Sequence, residues 1–305
     1  MALLNKFRFY PNVFVVVLAG FLITSCGNEG SKDKENMTED STSTGFQTSG
    51  KDTNVKNIIY SMPSPLETAT MIQNSGAPYD KDLLNDVNNA KKYTSTNQKA
   101  LNLGVYGTDL SYTSIYDQTQ ESMLYLKCAN ILATGLGISG AFDDKTADRL
   151  DANKNNRDSL LTIITESFWT ADSYLKENER PGTSALIVTG GWIEGLFIAA
   201  QIAKNTKNEE IITRVAEQRF NLKNILGMLK KYEYDDNIMA LIEGLKDIEK
   251  DFDSITVTKS ETQTATDAKT GVTSIGGGSK MSITTAQLNT IIDKSKKIRD
   301  KIVNK

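Results

Sequence analysis

The chain has 305 residues, 35 basic and 38 acidic side chains, a net charge of −3, two cysteines and no histidine. A mildly acidic chain without a basic cluster argues against a nucleic-acid surface. The absence of histidine removes the commonest metal ligand and the commonest general base near neutral pH.

The first stretch reads as a leader. Lys6 and Arg8 precede the apolar run Val13–Ile23, and eleven helical residues reach only about 16 Å against a hydrocarbon core of about 30 Å. A spanning anchor is therefore a poor reading. The run ends in Ile23-Thr24-Ser25-Cys26, which resembles the lipobox of bacterial lipoproteins: a branched apolar residue, two small ones, then cysteine. The resemblance implies lipidation of the Cys26 sulfur (palmitate-type acyl chains), cleavage before Cys26 and acylation of the new amine. Each buried methylene contributes about 0.8 kcal/mol, so several chains hold a protein to a bilayer almost irreversibly. It covers about the first 26 residues and says nothing of fold. The mature chain would carry a charge of −5, since Lys6 and Arg8 leave with the leader. Gly27 is not the aspartate that signals inner-membrane retention in enteric bacteria, so the implied address is the cell envelope, the outer membrane first, with its periplasmic or surface face open. Ser31-Lys32-Asp33-Lys34-Glu35 resembles the charged export signals of Bacteroidota surface lipoproteins, although it is displaced from Cys26 and mixed in sign.

Residues 27–56 are almost wholly polar and read as a flexible tether, because they cannot bury enough surface to offset their ordering entropy. A single helical domain is expected over 57–305. Ser64-Pro65-Leu66-Glu67 has the form of a helix start, with Ser64 as N-cap, Pro65 at the first position and Glu67 completing a capping box; Gly76 and Pro78 stop it. A short helix is predicted over Asp82–Tyr93, then one from Ser95 to about Ser114 with Leu101, Val105 and Tyr112 on its face. Gly104 and Gly107 weaken that helix and let a neighbour approach closely. From Gln118 onward, Leu124, Cys128, Ile131 and Gly135 share one face of a further helix, and Leu126, Ala129, Ala133 and Leu136 another. Cys128 reads as a small buried hydrophobe. With Cys26 acylated, no intrachain disulfide is available.

Leu161, Ile164, Phe168, Ala171 and Leu175 follow a helical rhythm up to Arg180-Pro181-Gly182. Ser184–Lys204 is apolar all round with Glu194 as its central charge, which reads as the central helix of a bundle; Gly191 and Gly195 give it a smooth strip. Ile211, Val215, Leu222, Leu226 and Leu229 mark the next helix, and Ile238, Leu241, Ile242, Leu245, Ile248 and Phe252 the cleanest stripe of all. Ile255–Thr258 and Val272–Ile275 read as a small β-hairpin or protruding loop within 253–283, with Asp267 and Gly271 as turn formers and Gly276–Ser279 as a hinge. Thr284 and Gln287 cap a last helix that docks through Leu288, Ile291, Ile292, Ile298 and Ile302. Its Lys294, Lys296, Lys297, Arg299 and Lys301 are expected on a solvated face. The fold class is all-α: an antiparallel multi-helix bundle with a small β insertion before the C-terminal helix.

Candidate chemistry is sparse. Asp151–Asp158 resembles half of an EF-hand loop, but Thr162 stands where the bidentate glutamate is required, so it reads as a polar helix start. Gly271–Lys280 resembles a phosphate loop, but Gly277 occupies the lysine position. Glu194 must find a partner or take up a proton; Glu166, Trp169 and Asp172 would meet it if their helices pack antiparallel. Glu194, Glu166, Trp169 and Trp192 are the candidate ligand-binding residues; no catalytic residue, metal ligand or cofactor is expected. The leading expectation is a membrane-anchored, non-enzymatic binding or structural domain with an envelope protein partner. A small-ligand or glycan-binding lipoprotein serving uptake, with Tyr106, Tyr112, Tyr116, Tyr125, Trp169 and Trp192 as pocket aromatics, is the alternative. An enzyme using buried carboxylates stands third.

Overall fold

The computed structural model describes residues 65–153, 156–233, 235–259, 263–266, 273–276 and 279–304. The expected leader (1–25), Cys26, the expected tether (27–56), Ser64, Asp267 and Gly271 lie outside them. Nine α-helices are formed among the described residues: α1 (Pro65–Asn74), α2 (Thr96–Ile115), α3 (Thr119–Gly135), α4 (Asp144–Ala152), α5 (Arg157–Glu177), α6 (Pro181–Thr206), α7 (Glu209–Leu229), α8 (Asp236–Asp253) and α9 (Thr285–Val303). Four short strands lie between α8 and α9: β1 (Thr256–Lys259), β2 (Gln263–Thr266), β3 (Thr273–Gly276) and β4 (Ser279–Ser282). β1 pairs with β4 and β2 with β3, both antiparallel, so the inner pair is nested in the outer. The fold is an all-α bundle with a small antiparallel β insertion.

The bundle is built around α6, which packs against α1, α2, α5, α7 and α9. It is long and apolar enough by composition to cross a membrane, yet 89% of its most apolar stretch is buried inside the protein. An all-round apolar helix in a core needs neighbours on every side, and here it has them. The closest approach is to α2. A Cβ on Gly104 would stand 2.0 Å from the Ile187 carbonyl oxygen, and one on Gly190 2.0 Å from that of Leu101. Gly107 likewise makes room for the Phe168 ring of α5. The smooth strip is therefore Gly190 and Gly191 rather than Gly191 and Gly195. A Cβ on Gly195 would meet only ordinary contacts, at 3.9 and 4.0 Å.

Helix boundaries follow local chemistry. α1 starts at Pro65, and Gly76, at φ 77°, follows it in the left-handed conformation. Ser95 and Gln98 form a capping box on α2, as Thr284 and Gln287 do on α9. Asn156 caps α5 and Asp235 caps α8. The stripe Ile238, Ile242, Leu245, Ile248 and Phe252 is buried, with Leu241 at its margin. Leu288, Ile291, Ile292, Ile298 and Ile302 are buried on α9.

Two local expectations are corrected, and α4 is a helix that the sequence reading does not contain. Asp82–Tyr93 is not one helix but two 3-10 turns, Lys81–Leu83 and Val87–Lys91, with Asp80 and Asp86 each accepting a backbone N–H. Asp and Asn side chains compete with helical hydrogen bonds in this way. The irregular segment is held instead by tyrosines: the hydroxyls of Tyr116, Tyr125 and Tyr106 donate to the carbonyls of Ala77, Asn85 and Asp86. On α3 the buried face runs through Ser122, Tyr125, Leu126, Cys128, Ala129, Leu132 and Ala133, so Cys128 is buried as expected while Leu124 is exposed. α4 was unforeseen, because it is short and its only large apolar residue is Leu150. Of the glycine-rich segment, Gly276 ends β3 and Ser279 begins β4, while Gly277 and Gly278 lie outside the described residues.

Candidate functional site

Polar chemistry gathers in two places, one sealed and one open. The sealed site grows from the glycine crossing of α2 and α6. Thr108 Oγ1 donates to the Gly191 carbonyl across that contact at 3.0 Å. Asp109 follows Thr108, and Glu194 lies one turn beyond Gly191. Both carboxyls are therefore carried into the same interior space, at 0% exposure. Arg299 reaches them from α9. Its Nε donates to Glu194 Oε2 at 2.7 Å, and a terminal nitrogen donates to Glu194 Oε1 at 2.8 Å and to the Leu83 carbonyl at 3.0 Å. Its guanidinium also lies over the Phe197 ring, 4.5 Å from the centroid. This is a bidentate, buried pair.

The surrounding groups extend the network. Asp109 Oδ2 accepts the Asn85 backbone N–H at 3.2 Å, while Oδ1 meets no donor among the described residues. Asn85 Nδ2 donates to Tyr93 Oη, and that hydroxyl donates to the Val303 carbonyl at 2.9 Å. Asn102 Nδ2 donates to the Ile302 carbonyl at 3.0 Å. Burial pushes the Asp109 carboxyl well above its usual range and the neighbouring Glu194 adds to the rise, against the opposing pull of Arg299 and the Asn85 N–H. Burial alone would lower the Arg299 guanidinium, but Glu194 beside it holds it above its usual range. Burial likewise raises Tyr93, Tyr106 and Tyr125, and pushes the Cys128 thiol up to about 12. A bidentate ion pair shut off from water holds helices together; it offers no free base.

The open site is a groove of about 850 Å³ between α4, α5 and the turn Ser139–Ala141. Leu161 and Ala141 line it together with Arg149, Glu166, Thr162, Thr165, Thr170 and Trp169. Trp169 is 52% exposed. Arg149 donates to Glu166 at 2.7 Å, with both side chains about half exposed. Thr162, Thr165 and Thr170 each donate to the carbonyl four residues back, which leaves their hydroxyl oxygens as acceptors.

The four candidate residues are thus divided. Glu166 and Trp169 line the groove. Glu194 lies in the core, and Trp192 is buried with its Nε1 donating to Gln218 Oε1 at 2.9 Å. The expected meeting of Glu194 with Glu166, Trp169 and Asp172 does not occur. Glu166 faces outward with Arg149, and Asp172 pairs with Lys176 and Ser184. Tyr106, Tyr112 and Tyr125 are core residues rather than pocket aromatics. Arg299 is buried, against the expectation of a solvated face.

Two buried charged side chains of this cluster, Asp109 and Arg299, escape the sequence reading although a signal exists for each. Arg299 is seven residues after Ile292, on the α9 stripe. Asp109 is four after Val105 and three before Tyr112, on the named face of α2. A charge in register with an apolar stripe marks a buried charge. Among the described residues no group of acidic or cysteine side chains has the arrangement of a metal site. No protein-family model matches the chain, and comparisons with characterised proteins and with solved structures find no match either.

Proposed function

We propose that this chain is an envelope lipoprotein, anchored at the outer membrane through lipid on Cys26, whose helical domain binds a partner protein of the envelope rather than catalysing a reaction. The observation that carries the binding reading is the groove beside α5: an exposed Trp169 next to a paired guanidinium and carboxylate. Exposed tryptophan and arginine are the residues on which interfaces concentrate their energy. The non-enzymatic reading is supported by Glu194, whose two oxygens are both engaged by Arg299. A second reading, a small polyhydroxylated ligand, is favoured by the Thr162, Thr165 and Thr170 acceptors around the same tryptophan.

The test has two parts. Cys26→Ala should leave the chain soluble or its precursor uncleaved; processing and membrane retention like the parent would refute the anchor. A photo-crosslinking residue at Thr170 should trap an envelope protein in the native membrane, while one at Phe220, exposed on α7, should not. Failure at Thr170 combined with Trp169 quenching by maltotetraose, cellotetraose or chitotetraose would replace the first reading with the second. Failure of both would refute binding in the groove.

A further inference from the structure

Independently of that reading, we propose that Asp109 and Glu194 share a single proton, held on Asp109 and donated to Glu194, and that this proton keeps the C-terminal half of α9 latched to the core. The geometry requires a donor that the heavy atoms do not otherwise supply. Asp109 Oδ1 is buried without a donor among the described residues, and the carboxyl within hydrogen-bond reach of Asp109 is that of Glu194, whose oxygens can only accept. Two ionised carboxyls side by side would repel, and a proton on one turns the repulsion into a hydrogen bond. With Asp109 neutral, Glu194 and Arg299 balance, and the buried cluster carries no net charge. The direction of the Asp109 shift agrees.

Glu194 also belongs to the latch. Arg299, Ile302 and Val303 of α9 are each gripped by the same network, through Glu194 and Leu83, Asn102, and Tyr93 respectively. The N-terminal half of α9 is fastened elsewhere, by Gln287 Nε2 donating to the Ser254 carbonyl and by Lys294 to Asp247 and Asp251. The groups that face Asp109 are Glu194 from α6, Arg299 from α9, Tyr125 and Cys128 from α3, Tyr106 on its own helix, and Asn85 with Tyr93 from the turn segment. Apart from the Glu194–Arg299 pair, these are neutral, because burial raises each of the tyrosines and the thiol. Loss of the Asp109 proton therefore leaves one uncompensated negative charge against α9.

The sign follows from linkage. A carboxyl raised in the folded state contributes its full stabilisation below the unfolded aspartate pKa, and the contribution is lost as pH rises through the folded value. Asp109→Asn removes the titration while its amide still donates to Glu194. The experiment uses the full chain in two measurements. Infrared spectra at pH 7 should show the C=O stretch of a protonated carboxylic acid, shifted by deuteration and absent from Asp109→Asn. Trypsin cleavage within α9, at Lys297, Arg299 and Lys301, should accelerate with pH in the parent relative to Asp109→Asn, by at most about tenfold per pH unit, the slope of one proton. If Asp109→Asn does not fold, the deuterium-sensitive band of the parent alone decides. A parent without that band at pH 7, or parallel cleavage profiles in the two proteins, would overturn the proposal.

Discussion

Gly190 and Gly195 lie on the same helix, five residues apart, and alanine at each should have opposite effects. A methyl at Gly190 would stand 2.0 Å from the Leu101 carbonyl oxygen, 2.7 Å from its carbon and 2.9 Å from its Cα. All three are backbone atoms, so no rotamer change relieves them. α2 and α6 must separate by about 1 Å to restore even a tight contact, and a gap of that size forfeits a quarter to a half of each dispersion contact along the crossing. Overpacking costs typically 1–3 kcal/mol, occasionally more. This clash is with backbone, and separating the helices also strains the Thr108–Gly191 hydrogen bond, so about 3 kcal/mol is expected. The helix-propensity gain of about 1 kcal/mol for Gly to Ala does not offset it. At Gly195 the nearest atoms, from Thr68 and Thr108, lie at 3.9 and 4.0 Å, so the propensity gain stands and stability should rise by about 0.5–1 kcal/mol. The assay is equilibrium urea unfolding of the full chain, followed by circular dichroism. At an m-value of about 3 kcal/mol/M, the two variants should differ in midpoint by about 1 M. A Gly190→Ala protein as stable as its parent would refute the close α2–α6 crossing.

Two further outcomes are expected. Arg299→Met strands Glu194 in the core and Glu194→Leu strands the guanidinium, so each should cost about 3–5 kcal/mol, whereas the two together should recover most of the loss; a double-mutant cycle in urea measures the coupling, and additive losses would count against the pair. Cys128 is buried and its thiol is raised to about 12, so in a Cys26→Ala background iodoacetamide should leave the native chain unlabelled at pH 8 and label it in denaturing urea. Equal labelling rates in the two states would place Cys128 at the surface.

The elements that the sequence made legible are those whose signal is local. The stripe from Ile238 to Phe252 and the Thr284–Gln287 cap each lie within one helix, and hydrophobic period and capping chemistry are written in neighbouring residues. The same is true of α6: an apolar run bounded by Pro181 and a charged end reads as a core helix from composition alone. The two 3-10 turns of 81–91 were misread because Asp and Asn spacing permits helix until a side chain takes the backbone N–H. Leu124 was placed inside because two apolar faces of α3 were available, and only the neighbours choose which one is buried.

What the sequence by itself determined is therefore the class of the fold, the starts of α1, α2 and α9, and the presence of a buried acid at Glu194. Tertiary structure alone decided the partner of that acid. Arg299 lies 105 residues away, and its arrival depends on how far α6 and α9 are rotated about their axes. The rotation of α5 likewise turns Glu166 and Trp169 outward to line the groove, and that of α2 carries Asp109 in. No local pattern records such angles, because they come from packing ridges against grooves over the whole bundle. The choice of Gly190 over Gly195 as the crossing point has the same origin: both residues lack a Cβ, and only the path of α2 makes one of them indispensable.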